Sequence, residues 1–176
     1  DAAASDYFGY SVAIDGATVV VGAWGDDGGG SAYVFLTTDG GATYGQVAKL
    51  TASDAAAGDY FGYSVAIDGS TIVVGAWGGD GIATNSGAVY VFRTTNGGST
   101  YAQVAKLTAA DGAEVSDGNF DYFGGSVAIA GSTIVVGAHY DDDALNCMNQ
   151  YCNSGSAYVF STSDGGATYC QLAKLA

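Results

Sequence analysis

One stretch of this chain is written three times. Residues 6–50 read DYFGYSVAIDGATVVVGAWGDD…GSAYVFLTTDGGATYGQVAKL, and residues 59–107 read DYFGYSVAIDGSTIVVGAWGGD…GAVYVFRTTNGGSTYAQVAKL. Residues 121–175 follow as DYFGGSVAIAGSTIVVGAHYDD…GSAYVFSTSDGGATYCQLAKL. The fold must therefore consist of three like units. Differences in length fall at two points only: after Trp24, Trp77 or His139, and in the linker before each Asp-Tyr-Phe-Gly. Insertions in a repeat are carried by loops, so both points are loops.

Each unit holds four short segments with strand character. In the first they are Ser11–Ile14, Thr18–Ala23, Ala32–Leu36 and Tyr44–Leu50. The second is an almost unbroken apolar run, as expected of a strand covered on both faces. Asp15-Gly16 fits a tight hairpin turn, because Gly tolerates positive φ and Asp can bond its own backbone. Gly is 29 of 176 residues without a three-residue period and Pro is absent, which favours strands and tight turns over collagen. Four antiparallel strands repeating every roughly 45–60 residues make an all-β chain of propeller blades. The expected blades are residues 1–50, 51–107 and 108–176.

Two family resemblances sit on these residues. Phe8-Gly9, Phe61-Gly62 and Phe123-Gly124, each followed by Gly-Ala at 22–23, 75–76 and 137–138, resemble the FG-GAP repeat. That repeat forms the propeller blades of integrin α subunits and of many secreted proteins of algae and bacteria. The usual proline after Gly-Ala is replaced by Trp24, Trp77 and His139. Thr37-x-Asp39-x-Gly41-x-Thr43-Tyr44 is similar to the Asp-box of sialidase-like propellers, with Tyr for the usual Trp. Its sister turns carry Asn96 and Asp164. The resemblance implies a hairpin-folding device and not a catalytic group.

Three blades do not close a ring, since propellers usually need at least four. The chain starts on Asp1-Ala2-Ala3-Ala4-Ser5, much like the internal linker Asp54-Ala55-Ala56-Ala57-Gly58, and stops on Leu175-Ala176 where another linker would begin. A ring or stack completed by other copies, head-to-tail, or by a longer parent chain is the expectation.

Eighteen acids against four bases give a net charge of -14, which disfavours nucleic acid and anionic membranes as partners. No apolar stretch approaches a membrane span. The acids are candidate Ca²⁺ ligands, because that ion prefers hard oxygen donors. They are the recurring pairs Asp1 with Asp6, Asp54 with Asp59, and Asp111 with Asp121, together with the run Asp141, Asp142 and Asp143. The alternating D-x-D-x-D-G loop of integrin-like blades is missing, and capping is the competing role. Lys49, Lys106 and Lys174 recur at one position per blade and suggest structural ion pairs with aspartates of a neighbouring blade. The repeated Phe is expected to bury against the next blade.

Trp24, Trp77, His139 and Tyr140 close the buried strand and are candidates for a ligand or partner surface. The loops 25–30, 78–87 and 139–155 belong to it. Cys147 and Cys152 can close a small loop by a disulfide, which leaves Cys170 free or available to another chain. With one His, one Glu and one Arg, catalysis has little support and no enzyme is expected. The leading expectation is an extracellular or cell-surface scaffold that self-associates as a fibre or coat. The alternative is an adhesion or carbohydrate-binding propeller, calcium-dependent in one form, with glycans or extracellular proteins as partners.

Overall fold

A computed structural model describes residues 3–112, 120–141 and 154–176. They form twelve strands in three four-stranded sheets, every neighbouring pair antiparallel and consecutive in sequence. The first sheet is β1 (Ser11–Asp15), β2 (Thr18–Ala23), β3 (Ser31–Leu36) and β4 (Gly45–Leu50). The second is β5 (Ser64–Asp68), β6 (Thr71–Ala76), β7 (Ala88–Arg93) and β8 (Ala102–Leu107). The third is β9 (Ser126–Ala130), β10 (Thr133–Ala138), β11 (Ser156–Ser161) and β12 (Cys170–Leu175). The first strands β1, β5 and β9 pack side by side, and each fourth strand lies at the far edge of its sheet.

The first hairpin turns one residue later than the sequence suggests. Asp15 pairs with Thr18 as the last rung of β1, so Gly16-Ala17 makes the turn, with Gly16 at φ 54. Asp15 is thereby released to the neighbouring sheet, where its carboxylate accepts the Gly69 N–H at 2.6 Å. Asp68 does the same for the Gly131 N–H. The register also slips at one place in every sheet, between Val34 and Phe35, Val91 and Phe92, and Val159 and Phe160. A bulge at the same position in all three bends each outer strand alike.

The apolar cores lie between sheets. Val20, Val34 and Leu50 of the first meet Phe61, Ile72, Val74 and Phe92 of the second. Val73, Val91 and Leu107 of the second meet Phe123, Ile134, Val136 and Phe160 of the third. The motif residues make this joint. Within a blade, the Phe-Gly glycine donates its N–H to the Gly-Ala glycine carbonyl: Gly9 to Gly22 at 3.0 Å, Gly62 to Gly75 at 3.1 Å, Gly124 to Gly137 at 3.1 Å. Between blades, the Gly62 carbonyl accepts Ser11 Oγ at 2.8 Å and the Phe61 N–H reaches the Gly29 carbonyl at 2.9 Å. Ser64 Oγ donates to the Gly124 carbonyl at 2.7 Å. The approach leaves no space for a side chain: a Cβ on Gly22 would stand 1.9 Å from the Gly62 oxygen, and one on Gly75 2.0 Å from that of Gly124. Phe61 and Phe123 are fully buried at these joints as expected, but Phe8 has no sheet before it and is 53% exposed.

Candidate functional site

The loops that open β1, β5 and β9 and those that follow β2, β6 and β10 share one end of the fan, and they gather its aromatic rings. Tyr7 stacks on Trp24 at 4.3 Å, and Tyr60 meets Trp24 edge-on at 5.4 Å. Trp77 lies between Tyr60 at 4.4 Å and Tyr122 at 4.2 Å, both nearly parallel to it. Tyr122 continues to His139 at 5.1 Å and Tyr140 at 4.9 Å. Beside this row the hydroxyls of Tyr10 and Tyr63 hydrogen-bond at 2.9 Å. That bond, with burial, pushes the Tyr63 phenol up to about 12.

Backbone strain recurs with the rings. Tyr7, Tyr60 and Tyr122 sit at φ 54, 57 and 57, a region that L side chains seldom occupy. The turn brings each tyrosine over the aromatic residue that follows Gly-Ala. It is tied by the Gly25 N–H to the Asp6 carbonyl at 3.2 Å, Gly78 to Asp59 at 3.1 Å and Tyr140 to Asp121 at 3.3 Å. Trp24 and Trp77 are half-buried with their ring faces turned onto tyrosines, and their Nε1 atoms are buried without a partner among the described residues. What reaches solvent is the tyrosine component: Tyr7, Tyr10 and Tyr140 are exposed, as is His139.

The carboxylates face lysine ammoniums and backbone N–H groups. Lys106 Nζ lies 2.5 Å from Asp54, which also accepts the Tyr90 hydroxyl at 2.8 Å. Lys174 is 2.6 Å from Asp111 and 3.0 Å from Asp141, and Tyr158 donates to Asp141. Lys49 bridges Asp26 at 2.9 Å and Asp27 at 2.7 Å. In each blade the ammonium also sits over a tyrosine ring, 5.1–5.4 Å from its centre. The partners of Lys106 and Lys174 are the linker aspartates Asp54 and Asp111 and, for Lys174, Asp141 after β10, all in the lysine's own blade rather than a neighbouring one. Burial alone would raise the carboxyls of Asp26, Asp54 and Asp111, but hydrogen bonds from lysine and tyrosine outweigh it and hold them below their ordinary value. Burial raises Tyr90 and Tyr158, and their carboxylate acceptors raise them further.

Asp6 and Asp59 cap the linker turn, accepting the N–H groups of Ala3 and, at 2.8 Å, Ala56. Burial pushes the Asp59 carboxyl up. Asp121 holds the same place in the third blade. Asp1, Asp142, Asp143, Cys147 and Cys152 lie outside the described residues. Among the described residues no three His, Cys, Asp or Glu side chains come together as a metal would require. Calcium takes six to eight oxygens, whereas Asp54, Asp111 and Asp141 face lysine ammoniums and Asp6 and Asp59 face backbone N–H groups. The described donor set does not fit calcium.

The outer turns are closed systems. Asp39 accepts the Thr43 N–H at 2.9 Å, its hydroxyl at 2.6 Å and that of Thr37 at 2.8 Å. Asp164 repeats this on Thr168 and Thr162; Asn96 Oδ1 accepts from the Thr100 N–H and the Thr94 hydroxyl, while its Nδ2 donates to Thr100 Oγ1. The Thr43 and Thr168 bonds hold the Asp39 and Asp164 carboxyls well below their usual range. Cys170 is exposed at the start of β12 with a free thiol. Asp15-Gly16 carried a turn signal but none for a bond to the next sheet, and the strained tyrosines were marked only by recurrence at one position per repeat.

The FG-GAP repeat model matches residues 1–35, 44–92 and 101–160. The chain belongs to the FG-GAP repeat family. Matched segments two and three each begin at the last strand of one sheet and run into the third strand of the next, so they straddle the joints. FG-GAP repeats are structural and adhesion modules rather than catalytic ones, and often bind calcium. No curated protein sequence matches. The crystal structure of Saccharomyces cerevisiae Sqt1 is similar with a TM-score of 0.57 at 12% identity, over 97% of this chain and 36% of that one. A chain from the S. cerevisiae structure of dbp5 bound to nup159 and gle1 aligns with a TM-score of 0.48 at 12% identity, over 92% of this chain and 36% of that one. The FG-GAP chain spans about a third of the length of these solved structures. No helix among its described residues is long and apolar enough to cross a membrane.

Proposed function

We propose that the chain is a section of an extracellular adhesion propeller, with blades at 1–50, 51–107 and 108–176, that binds glycans on its aromatic end. The row of rings crossing all three blades carries this reading. Tyrosine rings backed by tryptophan present rigid amphipathic surface at little entropic cost, and a hydroxylated ligand finds both apolar faces and phenol groups there. Loops 25–30 and 78–87 flank the row. Other extracellular proteins are the second ligand class for the same surface.

Calcium enters only through carboxylates outside the described set, Asp1, Asp142 and Asp143. A glycan array probed with the chain, with and without chelator, tests the reading. Binding should weaken at least ten-fold in Tyr10→Ser and Tyr140→Ser and persist in Thr43→Ala, which alters the far end. Absence of any glycan binding, or binding indifferent to the tyrosines, overturns it.

A scaffold reading, with copies joined into a ring, fibre or surface coat, is favoured by a separate observation: both outer sheets end on unfinished faces.

A further inference from the structure

Each internal joint has a plug and a socket, and among the described residues the first blade presents a further plug and the third a further socket that no other described blade covers. The plug is Phe-Gly with the apolar face of the first strand behind it. Phe61 and Phe123 are 0% exposed as plugs, whereas Phe8 is 53% exposed, and Val12 is 67% exposed against 9% for its counterpart Val65. The socket is the Gly-Ala glycine, the serine beside it, and the glycine before the third strand. In the third blade these are Gly137, Ser126 and Gly155, the last at φ 74 like Gly30 and Gly87 at φ 89 and 86. There, among the described residues, the socket stands open as a cavity of about 470 Å³ bounded by Gly137, His139, Gly155, Ser156 and Leu175. Leu175 is 55% exposed, while Leu50 and Leu107 in the occupied sockets are 4% exposed. A Cβ on Gly22 or Gly75 would strike the incoming glycine carbonyl, but one on Gly137 would meet only Ser126 among the described residues within 3.4 Å.

We propose that Phe8-Gly9 of one copy seats in the Gly137–Gly155 socket of a second copy, joining two chains head-to-tail. This rests on the blade architecture and on the scaffold form of the proposed function, and is independent of glycan binding. The occupant is a second copy because the plug it carries is DYFG, the sequence that already fills both internal sockets. Ser126 Oγ then donates to the Gly9 carbonyl, as Ser11 and Ser64 do to Gly62 and Gly124.

The new joint is weaker than the internal ones. Ala130 stands where Asp15 and Asp68 bond the next turn, and the new joint, like that between the second and third blades, has Gly125 in place of one partner of the Tyr10–Tyr63 bond. Repulsion between copies of charge -14 adds to this, so association tightens with salt.

Sedimentation equilibrium of the 176-residue chain, in reductant so that Cys170 forms no cross-link, reads the mass as concentration rises. Masses of two or more copies are expected, with Ala130→Asp tightening association about five- to ten-fold through the restored bond to the Gly16 N–H. Phe8→Asp spoils the plug and Gly137→Val fills the socket. Each alone should remain a single copy with an unchanged circular dichroism melt. Mixed together they should form a one-to-one dimer, because one retains the socket and the other the plug. A chain that stays a single copy at every concentration overturns the proposal and assigns the faces to other blades. Association that survives either variant, or a mixture that does not pair, overturns it as well. Glycan binding lost while the mass series holds defeats only the adhesion reading.

Discussion

At the scale of single residues, the charged groups divide by what faces them. Asp26, Asp54 and Asp111 are held below the ordinary carboxyl value, so they favour the folded chain when ionised. Their contribution is complete above the unfolded value near pH 4 and disappears as pH falls through the lower folded values. Asp59 runs the other way: burial raises its carboxyl, so its ionisation above that raised value opposes folding. Urea midpoints should therefore fall as pH drops below about 4, the ordinary carboxyl value. Asp59→Asn keeps an oxygen for the Ala56 N–H and removes the buried charge. It should raise stability at pH 7 by about 1 kcal/mol or less, an advantage that shrinks as pH falls and is lost below the unfolded value near pH 4 in the same urea titration. The strained tyrosines belong to this scale too. A residue in the left-handed region costs about 1–2 kcal/mol, and stacking against tryptophan offsets that at Tyr7, Tyr60 and Tyr122. Recurrence showed these positions in the sequence. Which ring covers which was not legible, because Trp77 is sandwiched by tyrosines of two different blades.

At the scale of elements, strands were legible from their apolar runs and the positions of glycine, with boundaries within a residue of those found. What alternation of residues did not show was the register. The outer strand carries one extra residue at Val47, and its bulge appears only when partners are paired off. The joint was half legible: a phenylalanine repeated three times implies a contact repeated three times, but only two partners exist within the chain. Phe61→Ala should cost about 3–5 kcal/mol, since it empties a closed core. Phe8→Ala, lying outside any joint in a dilute single copy, should cost under about 1 kcal/mol. Guanidinium denaturation of the two variants checks the contrast, and equal losses would contradict the placement of the cores between blades.

At the scale of the whole molecule, the middle blade is clamped from both sides while each outer blade is clamped from one. Every residue of β6 is buried, and all of β7 but Arg93. Amide hydrogen exchange should be slowest in Ile72–Val74 and Val89–Val91 and faster in β1 and β9, where exposed positions alternate. Uniform protection across the three sheets would mean that each blade holds itself together. The function was less legible than the architecture, since a faithful repeat spreads its signal evenly and the ligand-facing differences sit in short loops. Because the interior lies in the seams, no blade records how many blades there should be. A duplicated unit arrives with half of each seam already written, so lengthening the protein by one unit creates one new core and requires no compensating change anywhere else.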